Sequence, residues 1–403
     1  MNIVEKMKRT NWITSANLGI RGATLIGKFL LVYFLADQLT VEQNGVWGIF
    51  TTSIALSLYV VGLDFYTYSS RRILDFKEED RSPMLRDQLV FYFISYLVLF
   101  PILGLLFVFN VIDIKFAIFF YAILIFEHLA QEAYRTFVVF SKPIIANIIL
   151  FLRTGSWAYL ILILWTAGVD ELKSLRWLYL FWMCGGIAAL AVSLYFLAKF
   201  KFKSVKHIPI DWKWIKQGIK VSLLFFIGTV GYKIIEFADR YFIDYYHTKE
   251  EVGVYTFYAN MCNIVETFVH TAVIIIFSPR LIETFHKSNY DYRKTLAQFA
   301  KQVVIYTIII GVALAILIIP LLKSLENDEY IRDYNAFVVL VLSKMVLNFS
   351  LIFHYILYVR KNDFPIIKAT IIACVINILL NFILIPTMSI MGAALATLTS
   401  FLI

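Results

Sequence analysis

Apolar runs of about 20 residues, the length that crosses the hydrocarbon core of a bilayer, recur along the whole chain. Sixty per cent of the 403 residues are hydrophobic and 16% are charged, far from the composition of soluble domains. The pattern predicts an all-α, polytopic membrane protein with about 12 transmembrane helices. The predicted spans lie near Trp12–Ala36, Val46–Ser69, Gln88–Phe109, Phe116–Phe140, Ile144–Gly168, Leu175–Ala198, Ile215–Tyr245, Val254–Ser278, Gln302–Leu322, Tyr334–Val359, Pro365–Pro386 and Ile390–Ile403. The last run is short for a crossing, so we expect the chain to stop inside a span.

A stretch of the first half, Phe29–Arg72, returns without a gap in the second half at an offset of 208 residues. Its most specific part is a polar elbow, Thr-x-Glu-x-x-Gly-Val followed by an aromatic residue, at Thr40–Trp47 and again at Thr248–Tyr255. Thr40 can cap the helix that follows, and Glu42 lies where the helix dipole favours a carboxylate. An internal repeat of this size is typical of secondary transporters.

The repeat predicts two six-helix bundles, at residues 1–200 and 215–403, joined by a basic linker at 201–214. Six spans are an even number, so both bundles face the same way. We therefore expect a pseudo-two-fold axis along the membrane normal that relates the two bundles.

The distribution of positive charge predicts the topology. Alternate connections hold 24 Lys and Arg residues against 6 in the intervening ones, so the N-terminus is predicted to be cytoplasmic. The net charge of +9 is thereby explained without a nucleic-acid partner. The longest basic stretch, Lys199–Lys220, is predicted to place its lysines on anionic lipid and Trp212 and Trp214 at headgroup depth.

Several classes of protein are disfavoured. Cys184, Cys262 and Cys374 lie inside spans and indicate neither disulfides nor metal. No nucleotide-binding motif and no metal-ligand spacing is present, so we predict neither a metal nor an organic cofactor. A membrane enzyme, such as an oligosaccharide polymerase or ligase, would need a large outward loop, and the extracytoplasmic connections are short.

Ionisable residues inside the spans point to a functional cavity. Each costs about 2.5–3.5 kcal/mol at mid-membrane and needs a partner, water or a role. Four cations have no acid three or four residues away in their own span: Arg21, Lys28, Arg153 and Lys344. Together with Lys233 they predict a cavity that receives an anion; ion pairs between helices are the alternative.

Other charged residues fit structural pairs or ion coupling. Glu132 and Arg135, and likewise Glu236 and Arg240, are spaced to pair within one helix. The cluster that also contains Glu127, His128 and Gln131 fits a polar zipper between helices as well as a functional role. The remaining intramembrane groups, Asp239, Glu266 and His270, are candidates for binding H⁺ or Na⁺.

Short motifs along the whole chain resemble those of bacterial polysaccharide flippases of the O-antigen type, in the multidrug/oligosaccharidyl-lipid/polysaccharide exporter superfamily. The resemblance rests on Phe34–Arg72, Glu132–Arg135, Arg153 to Trp157, Phe237–Arg240, Val252–Tyr255, Ile385–Pro386 and Met391–Thr397. It implies two six-helix bundles that form a V around a central cavity, as in multidrug exporters of the same superfamily, in the bacterial inner membrane. Because the family usually runs somewhat longer at its C-terminus, the resemblance also agrees with a chain that stops inside a span.

The resemblance further implies transfer of an undecaprenyl-diphosphate-linked oligosaccharide from the inner to the outer leaflet, without covalent chemistry. Expected partners are this lipid, membrane lipids, and the polymerase and glycosyltransferases of the same pathway. Coupling to H⁺, to Na⁺ or to the membrane potential stays open. A lipid II flippase and a multidrug or cation antiporter of the same superfamily are the alternatives, the latter disfavoured because a cationic drug requires excess acid.

Overall fold

The computed structural model describes residues 3–200, 202, 204–325 and 327–403, with side chains from residue 15 onwards. Two of the predicted linker lysines, Lys201 and Lys203, lie outside these residues. In the described part the chain is helical and contains no β-strand. The helices of the first half are α1 (Ile3–Gln38), α2 (Val41–Gly62), α3 (Tyr66–Arg72), α4 (Ser82–Leu103), α5 (Leu105–Val108), α6 (Ala117–Val139), α7 (Pro143–Phe151), α8 (Trp157–Thr166) and α9 (Leu175–Leu197).

The second half continues the same architecture. Its helices are α10 (Trp212–Tyr246), α11 (Lys249–Val269), α12 (Ile275–Lys287), α13 (Asn289–Ser324), α14 (Glu329–Arg332), α15 (Tyr334–Val359) and α16 (Asp363–Phe401). Two π-helical turns join successive helices into single long spans: Leu152–Ser156 between α7 and α8, and His270–Ile274 between α11 and α12. Such turns insert an extra residue and rotate the side chains that follow.

Eleven helical segments of the described chain are long and apolar enough to cross a membrane, so the protein is a multi-pass membrane protein. The difference from the predicted twelve lies in α16, where Ser389 has non-helical angles (φ 46°, ψ −126°). Asn381 and Thr397 would be about 24 Å apart in a straight helix. Both nevertheless lie within 2.7 Å of Asp239, so the chain reverses at Ser389 into two segments, residues 363–388 and 390–401.

The chain forms two compact units. The first contains residues as far as Leu39 together with Phe50–Phe226. Its α6 packs against α7 and α9, and in its core the Phe50 ring stacks on Tyr179 with the ring centroids 4.0 Å apart. The predicted division at residues 200 and 215 and the axis relating the bundles remain predictions.

The second unit contains Thr40–Ile49 together with Ile227–Ile403. Helices α11, α12, α13 and α15 pack around a core that includes Val269, Leu281 and Phe299. The first turns of α2 therefore pack with the second unit, although the rest of that helix belongs to the first.

The repeated elbow is built as predicted in both copies. The Thr40 hydroxyl accepts a hydrogen bond from the Gln43 backbone amide (3.1 Å), and the Gln43 side-chain oxygen accepts one from the Thr40 backbone amide (3.2 Å), which is a capping box. The Thr248 hydroxyl accepts from the Glu251 amide (3.3 Å). Capping by these threonines, and the acidic residues of the first turns, follow from local sequence alone.

The linker lies against the first unit. The Arg86 guanidinium donates to three linker carbonyls, at 2.5 to 3.2 Å, and Asp87 accepts from the Asp211 amide (3.0 Å). Trp212 is exposed, as an interfacial residue would be. Trp214 packs its ring edge-on against Phe65 at 5.2 Å, because the start of α10 buries one face on this unit.

Candidate functional site

A stripe of polar side chains runs along α6 of the first unit. Glu127, His128 and Glu132 are buried in a helix that is otherwise apolar. Each bonds to a neighbouring helix, and the Tyr96 hydroxyl lies 2.6 Å from His128 Nδ1. Buried polar groups need such partners, and these bonds between helices are of the kind that a polar zipper makes.

The lower-numbered end of the stripe holds a group of cations around one carboxylate. Arg153, in the first π turn, places Nη1 3.1 Å from Glu127 Oε2 and 3.0 Å from Gln131 Oε1. The Trp182 indole donates to the other Glu127 oxygen at 2.7 Å. Lys28 on α1 interacts electrostatically with both Glu127 and Arg153, and its side chain is exposed. The Arg153 Nε is buried and has no hydrogen-bond partner among the described residues.

Arg21 lies two turns before Lys28 on the same face of α1, as the spacing of seven residues predicts. It donates from Nε to Asn147 (3.0 Å) and from Nη2 to the Tyr134 hydroxyl (3.4 Å). Both partners are neutral, so the positive charge of Arg21 is not cancelled by them. Asn147 is itself oriented by donating to Asn17 (2.7 Å).

We name the set Arg21, Lys28, Arg153 and Glu127 the cation cluster. It contains three cations and one carboxylate and therefore carries an excess charge of +2. The sequence analysis gave ion pairs between helices as the alternative to unpaired cations. Arg153 forms such a pair with Glu127. The excess positive charge remains because the single Glu127 carboxylate cannot neutralise Arg21 and Lys28 in addition to Arg153.

Glu132 and Arg135 form a separate and saturated site. Arg135 lies 2.5 Å from Glu132 within one helix, as predicted, and its guanidinium stacks 3.5 Å from the Tyr66 ring centroid. Glu132 also accepts from Gln88 (3.0 Å) and from the Tyr92 hydroxyl (2.5 Å). A carboxylate with this many donors holds α4 and α6 together.

The predicted cations of the second unit are paired with acids. Lys344 is buried and lies 2.8 Å from Glu266, which also accepts from the Tyr232 hydroxyl. Lys233 lies 2.6 Å from Glu236. The predicted pairing of Glu236 with Arg240 was wrong, because the Glu236 carboxylate pairs with Lys233.

Arg240 instead donates to the Glu236 main-chain carbonyl at 3.1 Å. With Asp239 included, three cations face three carboxylates in this unit, and the excess charge is zero. The intramembrane groups named here for the first unit thus carry excess positive charge, and those named for the second do not.

Asp239 is the most buried acid of this second group, 1% exposed. Its carboxylate accepts hydrogen bonds from the Tyr255 hydroxyl, from the Asn381 amide (2.6 Å) and from the Thr397 hydroxyl (2.7 Å). No ion pair within 4 Å joins Asp239 to another described residue. Asn377 lies one turn from Asn381, at a side-chain distance of 3.1 Å.

A cavity of about 350 Å³ lies next to this carboxylate. Polar groups lining it include Glu236, Asp239, Arg240, Lys344 and Thr397. The sequence analysis missed Asn381 and Thr397 as partners of Asp239. The available signal was the pair of asparagines, Asn377 and Asn381, one turn apart in an apolar helix.

His270 is the first residue of the second π turn and is exposed. The Glu266 carboxylate four residues earlier bonds to Lys344 and Tyr232. Among the described residues no group of three His, Cys, Asp or Glu side chains could hold a metal ion.

Known proteins resemble this chain weakly in sequence and closely in fold. No protein-family model matches the chain. An uncharacterized membrane protein of Methanocaldococcus jannaschii is 27% identical over 196 residues, which are 47% of this chain and 38% of that protein. The match thus spans well under half of that relative's length.

Solved structures match over nearly the whole chain. The lipid II flippase MurJ in an inward closed conformation gives a TM-score of 0.74, at 15% identity over 96% of this chain and 85% of that one. An inward-facing multidrug resistance transporter of the MATE family and MOP superfamily gives 0.71, at 12% identity over 93% and 92%. The chain therefore has the all-α membrane fold that MOP-superfamily transporters share.

Proposed function

We propose that the chain is a flippase that moves an undecaprenyl-diphosphate-linked oligosaccharide from the inner to the outer leaflet of the bacterial cytoplasmic membrane. The observation that carries this proposal is the excess charge of +2 in the cation cluster. A diphosphate is an anion too polar to cross hydrocarbon unaided, and clustered cations supply charge-assisted hydrogen bonds to it.

Each member of the cluster has a distinct part. Arg21 and Arg153 are planar donors that can bind two phosphate oxygens at once, and Arg153 Nε is free to do so. Lys28 adds a flexible point charge on an exposed side chain. Glu127 holds Arg153 in place through the 3.1 Å ion pair. The lipid tail stays in the bilayer while the head group passes.

The intramembrane lysines of the second unit are paired with carboxylates, which favours a role for that unit other than anion binding. Lys233 and Lys344 already have carboxylate partners, so we assign the diphosphate contacts to the first unit. Asp239 is the best candidate for coupling to H⁺ or Na⁺, because its partners are neutral oxygen- and nitrogen-bearing groups. Glu266 and His270 are weaker candidates, since Lys344 already neutralises Glu266.

Export is also favoured by an inside-negative membrane potential. Each negative charge moved outward across 100 mV releases about 2.3 kcal/mol. The polymerase and glycosyltransferases that use the same lipid are the proposed pathway partners.

A lipid II flippase is the second candidate, because its substrate carries the same diphosphate and a lipid II flippase shares the fold. A multidrug or cation antiporter would use the acids of the Asp239 cavity. The cation cluster argues against that candidate, since excess positive charge repels a cationic drug.

The test is the triple variant Arg21→Gln, Lys28→Gln, Arg153→Gln, assayed for surface polysaccharide in cells that lack the native protein. We expect loss of polysaccharide display, with Arg153→Lys retaining part of the activity. The matched control is Lys115→Gln, Lys173→Gln, Arg332→Gln, which removes three charges from connecting segments.

Unpairing buried Glu127 can cost about 3–5 kcal/mol, so the double variant Arg21→Gln, Lys28→Gln, which keeps that ion pair, is assayed in parallel. Normal display by a well-expressed triple variant would falsify the diphosphate site. Binding of undecaprenyl diphosphate, measured by native mass spectrometry, separates loss of binding from loss of transport.

A further inference from the structure

An open groove of about 1050 Å³ lies between α12 and α13 of the second unit. Phe277 is buried and forms its floor, and Arg280 stands beside it with the guanidinium 5.8 Å from the Phe277 ring centroid. The other wall is a single face of α13, with residues spaced three or four apart: Gln298, Lys301, Gln302, Ile305, Tyr306 and Ile309.

The polarity of this face changes once along the helix. Gln298, Lys301 and Gln302 come first, and Ile305, Tyr306 and Ile309 follow with 41–59% of their surfaces exposed. From Lys301 to Ile309 the helix rises about 12 Å. One leaflet of hydrocarbon is about 15 Å thick, so the groove matches a molecule with a polar head and a chain that spans one leaflet.

The charges at the polar end have no acidic partner. Neither Arg280 nor Lys301 lies within ion-pair distance of a carboxylate in the described part of the chain, and both side chains are exposed. The two amides next to Lys301 can each donate hydrogen bonds. This end of the groove therefore favours an anion that accepts several hydrogen bonds.

The fold does not require this polarity. When the 208-residue offset of the repeat is carried into α4, the positions that match Gln298, Lys301 and Gln302 are Val90, Phe93 and Ile94. These residues are apolar. The polar residues at these positions therefore occur in α13 and not in α4.

We propose that this groove binds an anionic phospholipid. The lipid belongs to the leaflet on the side of the membrane where the Lys- and Arg-rich connections lie. Its phosphate lies between Arg280 and Lys301, and one acyl chain lies along Ile305, Tyr306 and Ile309. The site shares no residue with the cation cluster, and the proposal does not depend on the transported substrate. Lipid charge of this kind attracts basic groups at a membrane surface.

The experiment uses the purified protein in lipid nanodiscs with a phosphatidylglycerol analogue that carries a photoreactive group in its acyl chain. Cross-linked peptides are mapped by mass spectrometry. We expect labelling at residues 305–309. In the variant Arg280→Gln, Lys301→Gln, labelling should fall about fivefold for each charge removed. The control Arg293→Gln, Lys294→Gln removes two exposed cations of the same helix that do not line the groove, and should label like the native protein.

Three outcomes would overturn the proposal. The first is equal labelling of these residues in both double variants. The second is labelling by a phosphatidylcholine analogue as strong as that by phosphatidylglycerol. The third is displacement of the label by undecaprenyl phosphate at lower concentration than by phosphatidylglycerol, which would assign the groove to an isoprenoid lipid.

Discussion

At the scale of single residues, Asp239 differs from the other buried acids in the kind of partner it has. Glu127, Glu236 and Glu266 each lie within about 3 Å of a cation, whereas Asp239 is held by two hydroxyls and an amide. Neutral donors satisfy the carboxylate without cancelling its charge. We therefore propose Asp239 as the site where a proton or a small cation exchanges, since the other three acids are paired with protein cations.

The variant Asp239→Asn should remove ion coupling and preserve the fold. Asparagine has nearly the same volume, and the hydroxyls of Tyr255 and Thr397 can still bond to it. We expect flipping of the lipid-linked substrate in proteoliposomes to lose its acceleration by an imposed Na⁺ or pH gradient.

Glu283→Gln is the control for this measurement, because Glu283 is an exposed acid paired with Lys287. Acceleration by either gradient that is unchanged in Asp239→Asn would eliminate Asp239 as the coupling site. In that case transport would be driven by the membrane potential or by an ion bound elsewhere.

At the scale of secondary structure, the glycines of the repeated elbow allow two helices to approach closely. A Cβ on Gly45 would lie 1.8 Å from the Lys249 carbonyl oxygen, and one on Gly253 would lie 2.1 Å from the Val41 carbonyl oxygen. Asn44 adds hydrogen bonds to the Gly253 carbonyl (3.2 Å) and the Tyr330 hydroxyl (3.1 Å). The two copies of the motif thus pack against each other.

Gly45→Ala and Gly253→Ala should each destabilise this contact, because the methyl group meets backbone that cannot rotate away. Overpacking of this kind costs about 1–3 kcal/mol. We expect a lower midpoint of thermal unfolding, followed by tryptophan fluorescence in detergent.

Gly19→Ala provides the matched control, since a Cβ at Gly19 has nothing within 4 Å. In a helix that change is expected to be neutral or to stabilise by about 0.5–1 kcal/mol. Equal unfolding midpoints for Gly19→Ala and Gly45→Ala would contradict the close-packing explanation of the motif.

At the scale of the whole molecule, the distribution of charge predicts which side of the membrane each connection occupies. From the ratio of 24 to 6 basic residues we predict that the N-terminus and the linker are cytoplasmic. The elbows at Thr40 and Thr248 are then extracytoplasmic. This orientation also assigns the groove of α12 and α13 to the inner leaflet.

Single cysteines at Glu42 and Ser204, in a variant whose three native cysteines are replaced, test this topology. A maleimide that cannot cross membranes should label position 42 in intact cells, because the elbow faces outward. Position 204 should react only after permeabilisation, and the cysteine-free protein should not react at all. The opposite pattern would reverse the orientation and remove the basis for the parallel repeat.

Much of the fold could be predicted from local sequence. The apolar runs required helices, because a bilayer offers no hydrogen-bond partners to an open backbone. The threonine caps could be predicted because the hydroxyl bonds to the backbone amide three residues later. The Glu132–Arg135 pair could be predicted because side chains three residues apart share one face of a helix. The π turns carry no residue marker and could not be predicted, although one of them positions Arg153.

The sequence by itself therefore determined the membrane location, the helical content, the repeat and the chemical types of the intramembrane residues. Only the tertiary structure decided which charges neutralise each other, since Arg153 meets Glu127 across 26 residues and Lys344 meets Glu266 across 78. It also decided the reversal at Ser389 and the glycine contact between residues 208 positions apart. These features depend on helix packing, in which neighbours are chosen by shape and by the whole set of buried polar groups, and a local window of sequence contains neither.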